Sequence, residues 1–163
     1  MPGSLPATRQ AVEAIDTSYL QTLLGYNAWR VSLQGIELFN QRIAAYGLGP
    51  VDFSVLSLIR HNPGITSRQL CSALSLLPPN LVGKISMMKK RDWLKRKLHP
   101  DDGRAIGLYL TDAGSTMVAE AERVVTELED EVGSKLTAAE AKTLLQLLQK
   151  GLSVTCFSGI LGL

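Results

Sequence analysis

The sequence is poor in the residues that support cross-links, metal centres and catalysis. Its 163 residues include two cysteines and two histidines. Two cysteines are too few for a disulfide scaffold, and neither His61 nor His99 stands in an active-site motif. The sequence also has no Gly-rich phosphate loop and no Cys/His metal spacing. It therefore predicts no catalytic residues, no metal site and no cofactor, and we expect the protein not to be an enzyme.

Long apolar runs are missing as well. No stretch reaches the roughly 18 apolar residues of a membrane span, and the N-terminus has no basic region followed by an apolar one. We therefore expect no membrane span and no signal peptide, and a cytoplasmic protein. Yet 45% of the residues are hydrophobic and only 20% are charged. That balance predicts apolar surface that a partner covers.

What is present centres on residues 64–114, which begin with the pattern of two short helices. In the first, Thr66 or Ser67 suits the N-cap, and Leu70 and Leu74 lie one turn apart on an apolar face. This helix is predicted to end near Ser75.

The second helix is predicted to start at the proline pair 78–79 and to end near Arg91, because proline suits a first helical turn and no later position. Its buried stripe is expected to be Leu81, Ile85 and Met88. The outward face then carries small and cationic groups with almost no carboxylate: Pro78, Asn80, Gly83, Lys84, Met87 and Arg91.

Two strands follow, at 93–98 and 105–110, because apolar residues alternate with polar or small ones in both segments. The six residues between them are of types typical of a turn, so we expect the strands to form a hairpin with Arg104 beside its tip. Residues 84–104 hold eight Lys or Arg and three acids, a net charge of +5, whereas the whole chain is +2. Such a concentration of positive charge predicts a surface that binds nucleic-acid phosphates.

The order and spacing of four segments resemble the MarR-type winged helix-turn-helix transcriptional regulators of bacteria. The segments are TSRQL at 66–70, NLV at 80–82, KRDWLKR at 90–96, and DDGRA followed by LTDAG between 101 and 114. The resemblance is close over residues 48–114. It implies a mainly α fold with a small antiparallel β-hairpin, in which a winged helix-turn-helix lobe joins a helical dimerisation region. The chain departs from the family pattern where Asp92 replaces a usual glycine and where Gly83 and Gly103 replace usual arginines.

The candidate contacts with double-stranded DNA lie on the second helix and the hairpin. Asn80 suits an adenine edge and Lys84 a guanine edge or a phosphate, although simple solvation is the alternative for both. Arg104 is the candidate for minor-groove insertion, and an ion pair with Asp102 is its alternative. Lys95, Arg96 and Lys97 are expected to hold phosphates. The full set is Pro79, Asn80, Gly83, Lys84, Met87, Lys95, Arg96, Lys97, Asp102 and Arg104.

The flanking segments are predicted to pair two copies of the chain. A long helix at 12–46 is apolar on more than one face, so a second copy is its expected cover. Residues 111–151 hold two further helices, the first acidic and the second opened by a Thr137–Glu140 capping box. We thus predict one domain over 1–163, with a winged helix-turn-helix at 50–110. The uncharged apolar tail 152–163 is expected to dock on the protein, and a disordered tail is the alternative.

A ligand pocket is implied by the resemblance, between the dimerisation helices and the DNA-binding lobe, for small aromatic or phenolic acids. Trp29, Arg30, Tyr46 and His61 are its candidates here. Core packing explains Trp29 equally well, and His61 suits a helix C-cap. A thiol-based redox response through Cys71 or Cys156 stays open, but Cys71 is expected on an inner helix face, where thiols are inert.

These observations lead to one functional prediction. The protein is expected to be a ligand-responsive regulator, by family default a repressor, that binds a pseudo-palindromic operator as a homodimer. Two alternatives are a redox-sensing regulator on the same fold and a winged-helix protein-interaction module without an operator.

Overall fold

The computed structural model describes residues 15–98 and 105–152, which form helices and one two-stranded sheet. The elements are α1 (Ser18–Gln21), α2 (Leu24–Ile43), a 3-10 turn (Ala44–Tyr46), α3 (Pro50–His61), α4 (Ser67–Leu74), α5 (Pro78–Lys90), β1 (Leu94–Leu98), β2 (Ile106–Leu110), α6 (Asp112–Val132) and α7 (Ala138–Leu152). The chain divides into two compact units, one ending at Leu33 and the other beginning at Gln34. The predicted fold class is confirmed.

The helix-turn-helix follows its local sequence signals. The Thr66 hydroxyl accepts a hydrogen bond from the Gln69 amide (3.3 Å), and the Gln69 side chain accepts one from the Thr66 amide (2.8 Å). This reciprocal cap fixes the start of α4. Ser75 ends it in the left-handed region at φ 51°, and Pro78 opens α5 as expected.

The second unit holds the hydrophobic core. The predicted stripe of α5 is confirmed, since Leu81, Ile85 and Met88 are all buried. They pack with buried side chains of seven other segments: Phe39, Ile43, Leu48, Val55, Leu56, Ile59, Leu70, Leu94, Leu108, Val118, Ala121 and Leu128. The rings of Phe39 and Phe53 meet edge to face with centroids 5.6 Å apart, which ties the end of α2 to α3.

The two strands are antiparallel, and Leu94 pairs with Leu110 at one end and Leu98 with Ile106 at the other. The inner end is buried at Leu94 and Leu108. The outer end is exposed at both Leu98 and Ile106. The ribbon is therefore anchored at the end beside α6 and projects at the end that leads to residues 99–104, which lie outside the described residues.

The long N-terminal helix predicted at 12–46 is wrong as a single helix. The described part is interrupted at Thr22 and Leu23, between α1 and α2. The Asn27 side chain donates hydrogen bonds to the carbonyls of Gln21 and Leu23, both at 2.8 Å. Side chains that bond nearby carbonyls in this way compete with regular helix geometry, which apolar periodicity alone does not reveal.

The C-terminal helices match their predicted caps. The Thr111 hydroxyl accepts from the Gly114 amide (3.0 Å) at the start of α6, and the Thr137–Glu140 capping box forms at the start of α7. Gly151 does not end α7, which continues to Leu152. The docking predicted for the tail lies outside the described residues beyond that point, as does Cys156.

In the two stretches 15–98 and 105–152, no single helix is long and apolar enough to cross a bilayer. Only the bent pair 24–46 and 50–61, which meets at 69°, satisfies that criterion, by combined length and composition alone.

Candidate nucleic-acid interface

The first two turns of α5 present an open surface. Pro79, Asn80 and Gly83 are exposed there, as predicted. No atom outside the local helix lies within 4 Å of the place where a side chain at position 83 would begin. Val82 and Ser86 share this exposed surface and were missing from the predicted set. Their 3.6-residue spacing from Pro79 was the signal that could have identified them.

Lys84 differs from its prediction. Its ammonium donates to the Asp52 carboxylate on α3 at 2.8 Å, and the side chain is only 31% exposed. The other oxygen of Asp52 accepts from the Gly49 amide (3.2 Å). Lys84, predicted on the outward face, is therefore only partly exposed and already paired, and its predicted DNA contact stays a prediction. The residue ties α5 to α3, and a phosphate would have to compete with Asp52 for it.

Met87 is also misplaced by the prediction of an outward face. It is partly buried and packs against the hydrophobic core, beside the fully buried Met88. Helical spacing places residue 87 close to residue 84, at the margin of the buried stripe, and an unbranched thioether fills such irregular gaps readily. Met87 is thus better explained by packing than by contact with a base.

The ribbon displays three consecutive cations. Lys95, Arg96 and Lys97 are all exposed. Strand geometry places Lys95 and Lys97 on one face and Arg96 on the other. The ammonium of Lys97 lies 5.7 Å from the ring centroid of Tyr109, a cation–π distance. Asp102 and Arg104 lie outside the described residues, so their predicted ion pair and groove contact stay predictions.

A tight junction sets the direction of the ribbon. Asp92, which stands where the family pattern has glycine, adopts the left-handed φ of 55°. The Trp93 amide bonds back to the Met88 carbonyl (3.0 Å), and the Thr111 hydroxyl donates to the Asp92 carbonyl (2.5 Å). At Gly114, an added Cβ would overlap the carbonyl of Trp93. The turn thus keeps the conformation that glycine adopts most easily, but with an aspartate in it.

Acidic side chains of α6 are largely engaged in ion pairs. Glu122 receives bonds from Ser57 (2.7 Å), Arg60 (3.2 Å) and His61 (3.0 Å), all on α3. The predicted capping role of His61 is therefore wrong. Asn62 performs it instead, since both its backbone and its side-chain amide donate to the Leu58 carbonyl at 2.9 Å.

A second acidic group on α6 surrounds Arg123. The guanidinium binds Glu120 and Glu127. Hydrogen bonding to Arg123 is the main reason why the pKa of Glu120 is lowered, and the Glu120 contact is the main reason why the pKa of Arg123 is raised. One guanidinium between two carboxylates leaves this group with a net charge of −1.

The four candidate ligand-binding residues fall into both units. Trp29 and Arg30 belong to the first, where the Trp29 ring is exposed and lies 6.0 Å from the Tyr26 ring. Tyr46 and His61 belong to the second and contact Glu120 and Glu122 of α6. An open cleft of about 570 Å³ on the second unit is lined by other residues: Arg60, Ser115, Thr116, Ala119 and Glu120.

Cys71 is partly buried on α4 and packs against the core. This placement matches the inner helix face expected from the sequence. Among the described residues, no group of three His, Cys, Asp or Glu side chains is arranged to hold a metal ion.

Comparison with known proteins identifies the architecture. A family model described as the MarR family matches residues 46–105. The transcriptional repressor CouR, solved bound to a 23-mer DNA duplex, is 33% identical over 84% of this chain and 97% of that one, with a TM-score of 0.78. In a second structure, bound to p-coumaroyl-CoA, the match covers 87% of this chain and 100% of that one at 30% identity, with a TM-score of 0.75.

Two curated proteins show the same relationship by sequence. The multiple antibiotic resistance protein MarR of Escherichia coli is 29% identical over 70% of this chain and 80% of its own length. An HTH-type transcriptional repressor of Mycobacterium tuberculosis is 24% identical over 78% of this chain and 91% of its own length. All of these relatives are transcriptional regulators.

Proposed function

This chain belongs to the MarR family of transcriptional regulators, and we propose that it is a repressor that binds a pseudo-palindromic operator as a homodimer. The observation that carries the proposal is the combination of an open α5 surface with three exposed cations on the adjoining ribbon. Helix α5 would enter the major groove while Lys95, Arg96 and Lys97 hold phosphates. CouR, similar over most of both chains, binds DNA.

The homodimer is supported by apolar surface that the single chain leaves uncovered. Helix α7 exposes four leucines, Leu144, Leu145, Leu147 and Leu148. The N-terminal segment exposes Ile15, Tyr19, Leu24, Trp29 and Val31 among others. Exposed apolar side chains in such number favour a protein interface. A two-fold dimer would present two α5 helices about one DNA turn apart, which is why the operator should be a pseudo-palindrome.

The effector is proposed to be an aromatic acid, free or as a thioester, because CouR also binds p-coumaroyl-CoA. Trp29, Arg30, Tyr46 and His61 remain its candidate contacts. The ligand would act by favouring a spacing of the two α5 helices that does not match the operator. It can weaken DNA binding only by the ratio of its affinities for the two arrangements. We place this regulator in the cytoplasm, where operator DNA is found in bacteria.

Fluorescence anisotropy with genomic fragments selected by the protein tests the proposal. We expect one family of pseudo-palindromic fragments to bind far more tightly than random DNA. Raising the salt concentration should weaken binding steeply, because phosphate contacts release counterions. Equal, weak binding to all fragments would contradict the operator and favour a protein-interaction module.

Charge-neutralising variants identify the contacts. Arg96→Gln and Arg104→Ala should each reduce the slope of log affinity against log salt by about one per phosphate lost. Lys135→Gln is the matched control, since it removes an exposed cation from the segment between α6 and α7. An unchanged slope would remove the tested residue from the interface.

A further inference from the structure

Val82 is an exposed apolar side chain in the middle of the surface that faces DNA in the proposed function. It is 61% exposed, whereas Leu81, immediately before it, is 1% exposed. Val82 lies three residues after Pro79 and four before Ser86, so the three share one side of α5. The core does not need its isopropyl group. The exposed isopropyl group is available for contact with a molecule outside the folded chain.

The neighbours of Val82 narrow what this surface can recognise. Pro79 has no side-chain donor, and Gly83 has no side chain. Lys84, which could reach a guanine edge, is bonded to Asp52 at 2.8 Å. The remaining polar group in the first two turns is the Asn80 amide, which suits adenine. Within α5, this stretch offers apolar contact and an amide, and no unengaged cation.

Gly83 leaves open space beside Val82. Nothing outside the helix approaches within 4 Å of its missing Cβ position. A base edge can therefore come close to the backbone beside Val82 without meeting a side chain. The C5-methyl of thymine is the apolar group that projects into the major groove, and aliphatic side chains contact it there.

From these observations we propose that Val82 is a specificity-determining residue that packs on the C5-methyl group of a thymine in each operator half-site. This inference rests on the proposed function, because it requires α5 to lie in the major groove. It predicts that the base pairs read by the first two turns of α5 are A·T pairs, with Val82 on thymine and Asn80 on adenine.

The test removes the C5-methyl group of each operator thymine in turn. The operator is first selected from genomic DNA, and each thymine of one half-site is then replaced by deoxyuridine, which lacks only the methyl. For the wild-type protein we expect one position at which replacement weakens binding about fourfold, the value of one buried methylene at ~0.8 kcal/mol. Thymines outside the half-site are the internal control.

Three protein variants are then compared on the thymine and deoxyuridine operators. Val82→Ala should weaken binding to the thymine operator by at least the same factor and should show no further loss with deoxyuridine at that position. Val82→Ile keeps an apolar group and should stay sensitive to the methyl. Asn80→Ala should keep the deoxyuridine effect unchanged, because it removes a different contact. Val82→Ala should also melt no earlier than the wild type, since alanine is the better helix former on an exposed surface.

Two results would overturn the inference. One is that deoxyuridine weakens binding equally in the wild type and in Val82→Ala at every thymine. The loss of a methyl group would then not depend on Val82. The other is a lowered melting temperature for Val82→Ala that accounts for its weaker binding. Failure of the proposed function is distinguishable, because then no fragment would be selected and binding would not discriminate operator from random DNA.

Discussion

The winged module, residues 50–110, and the helices that flank it differ in how their apolar side chains are covered. In the described part of the module, α3, α4, α5 and the inner end of the ribbon bury their apolar faces against one another and against α6. Helix α7 leaves Leu144, Leu145, Leu147 and Leu148 exposed, and the N-terminal segment leaves Tyr19 and Leu24 exposed. The module covers most of its apolar side chains within the chain, apart from exposed ones such as Val82, Leu98 and Ile106, whereas α7 and the N-terminal segment leave many uncovered.

In the proposed function, this difference suits the two regions to separate tasks. A module with a covered core can keep its shape whether or not it is bound, so its exposed polar surface is available for DNA. A helix with an uncovered apolar face gains stability when a partner covers it, so its exposed surface is available for dimerisation. The predictions that follow should separate the two regions by experiment.

The largest effect is expected from Gly114→Ala, at the junction of the ribbon and α6. The new Cβ would overlap backbone atoms of Trp93, which cannot move aside as a flexible side chain could. We expect a loss of about 3 kcal/mol or more in the free energy of unfolding. Gly83→Ala is the matched control, because the space around position 83 is open. Its free energy of unfolding should rise by up to about 1 kcal/mol. Urea denaturation of both variants measures the contrast, and equal stabilities would contradict it.

The next comparison sets a covered leucine against an uncovered one. Leu56→Ala, at a fully buried site, should cost about 2–5 kcal/mol at any protein concentration. Leu147→Ala, at a side chain that is 61% exposed, should act only through dimerisation. Its melting temperature should fall with dilution more steeply than that of the wild type. Sedimentation equilibrium should show weaker dimerisation for this variant, and unchanged association would remove Leu147 from the interface.

A smaller gain is expected from Asp92→Gly in the turn before β1. The aspartate is held at φ 55°, where a side chain is unfavourable and glycine is not. Relief of that strain should raise the free energy of unfolding by about 1 kcal/mol. Asp130→Gly, within α6, makes the same exchange in ordinary helix and should lower stability instead. A destabilised Asp92→Gly would mean that the carboxylate makes a contact worth more than the strain.

Features set by neighbouring residues were predictable from the sequence. Thr66, Pro78, Thr111 and Thr137 each mark a helix start through bonds or restraints within three residues. The alternation of the strands and the 3.6-residue stripe of α5 are likewise local patterns. These signals predicted the fold class and the family correctly because the chain folds there as its local propensities direct.

Contacts between distant residues could not be predicted in this way. The Lys84–Asp52 and His61–Glu122 pairs join residues 32 and 61 positions apart, and they changed the roles expected for Lys84 and His61. Charge counting treats a lysine on an outward face as available, but one carboxylate on a neighbouring helix is enough to engage it. The exposed Val82 was absent from both the predicted buried stripe and the predicted outward face of α5, although its helical spacing from Pro79 places it on the exposed side.

The smallest expected effect concerns the start of α7, where the charged Glu140 side chain forms the capping box with Thr137. Hydrogen bonds from the backbone amide and then the hydroxyl of Thr137 lower the pKa of Glu140 below its usual value of 4.5. Since the folded-state pKa is depressed, the stabilisation is present above about pH 4.5 and is lost as the pH falls through the lower folded value. Glu140→Gln keeps an acceptor but loses the charge, so its stability deficit should shrink on acidification. Thermal melts between about pH 6 and pH 3 measure this, with Glu129→Gln on α6 as the control. A deficit that stays constant with pH would show that the Glu140 charge contributes nothing to the cap.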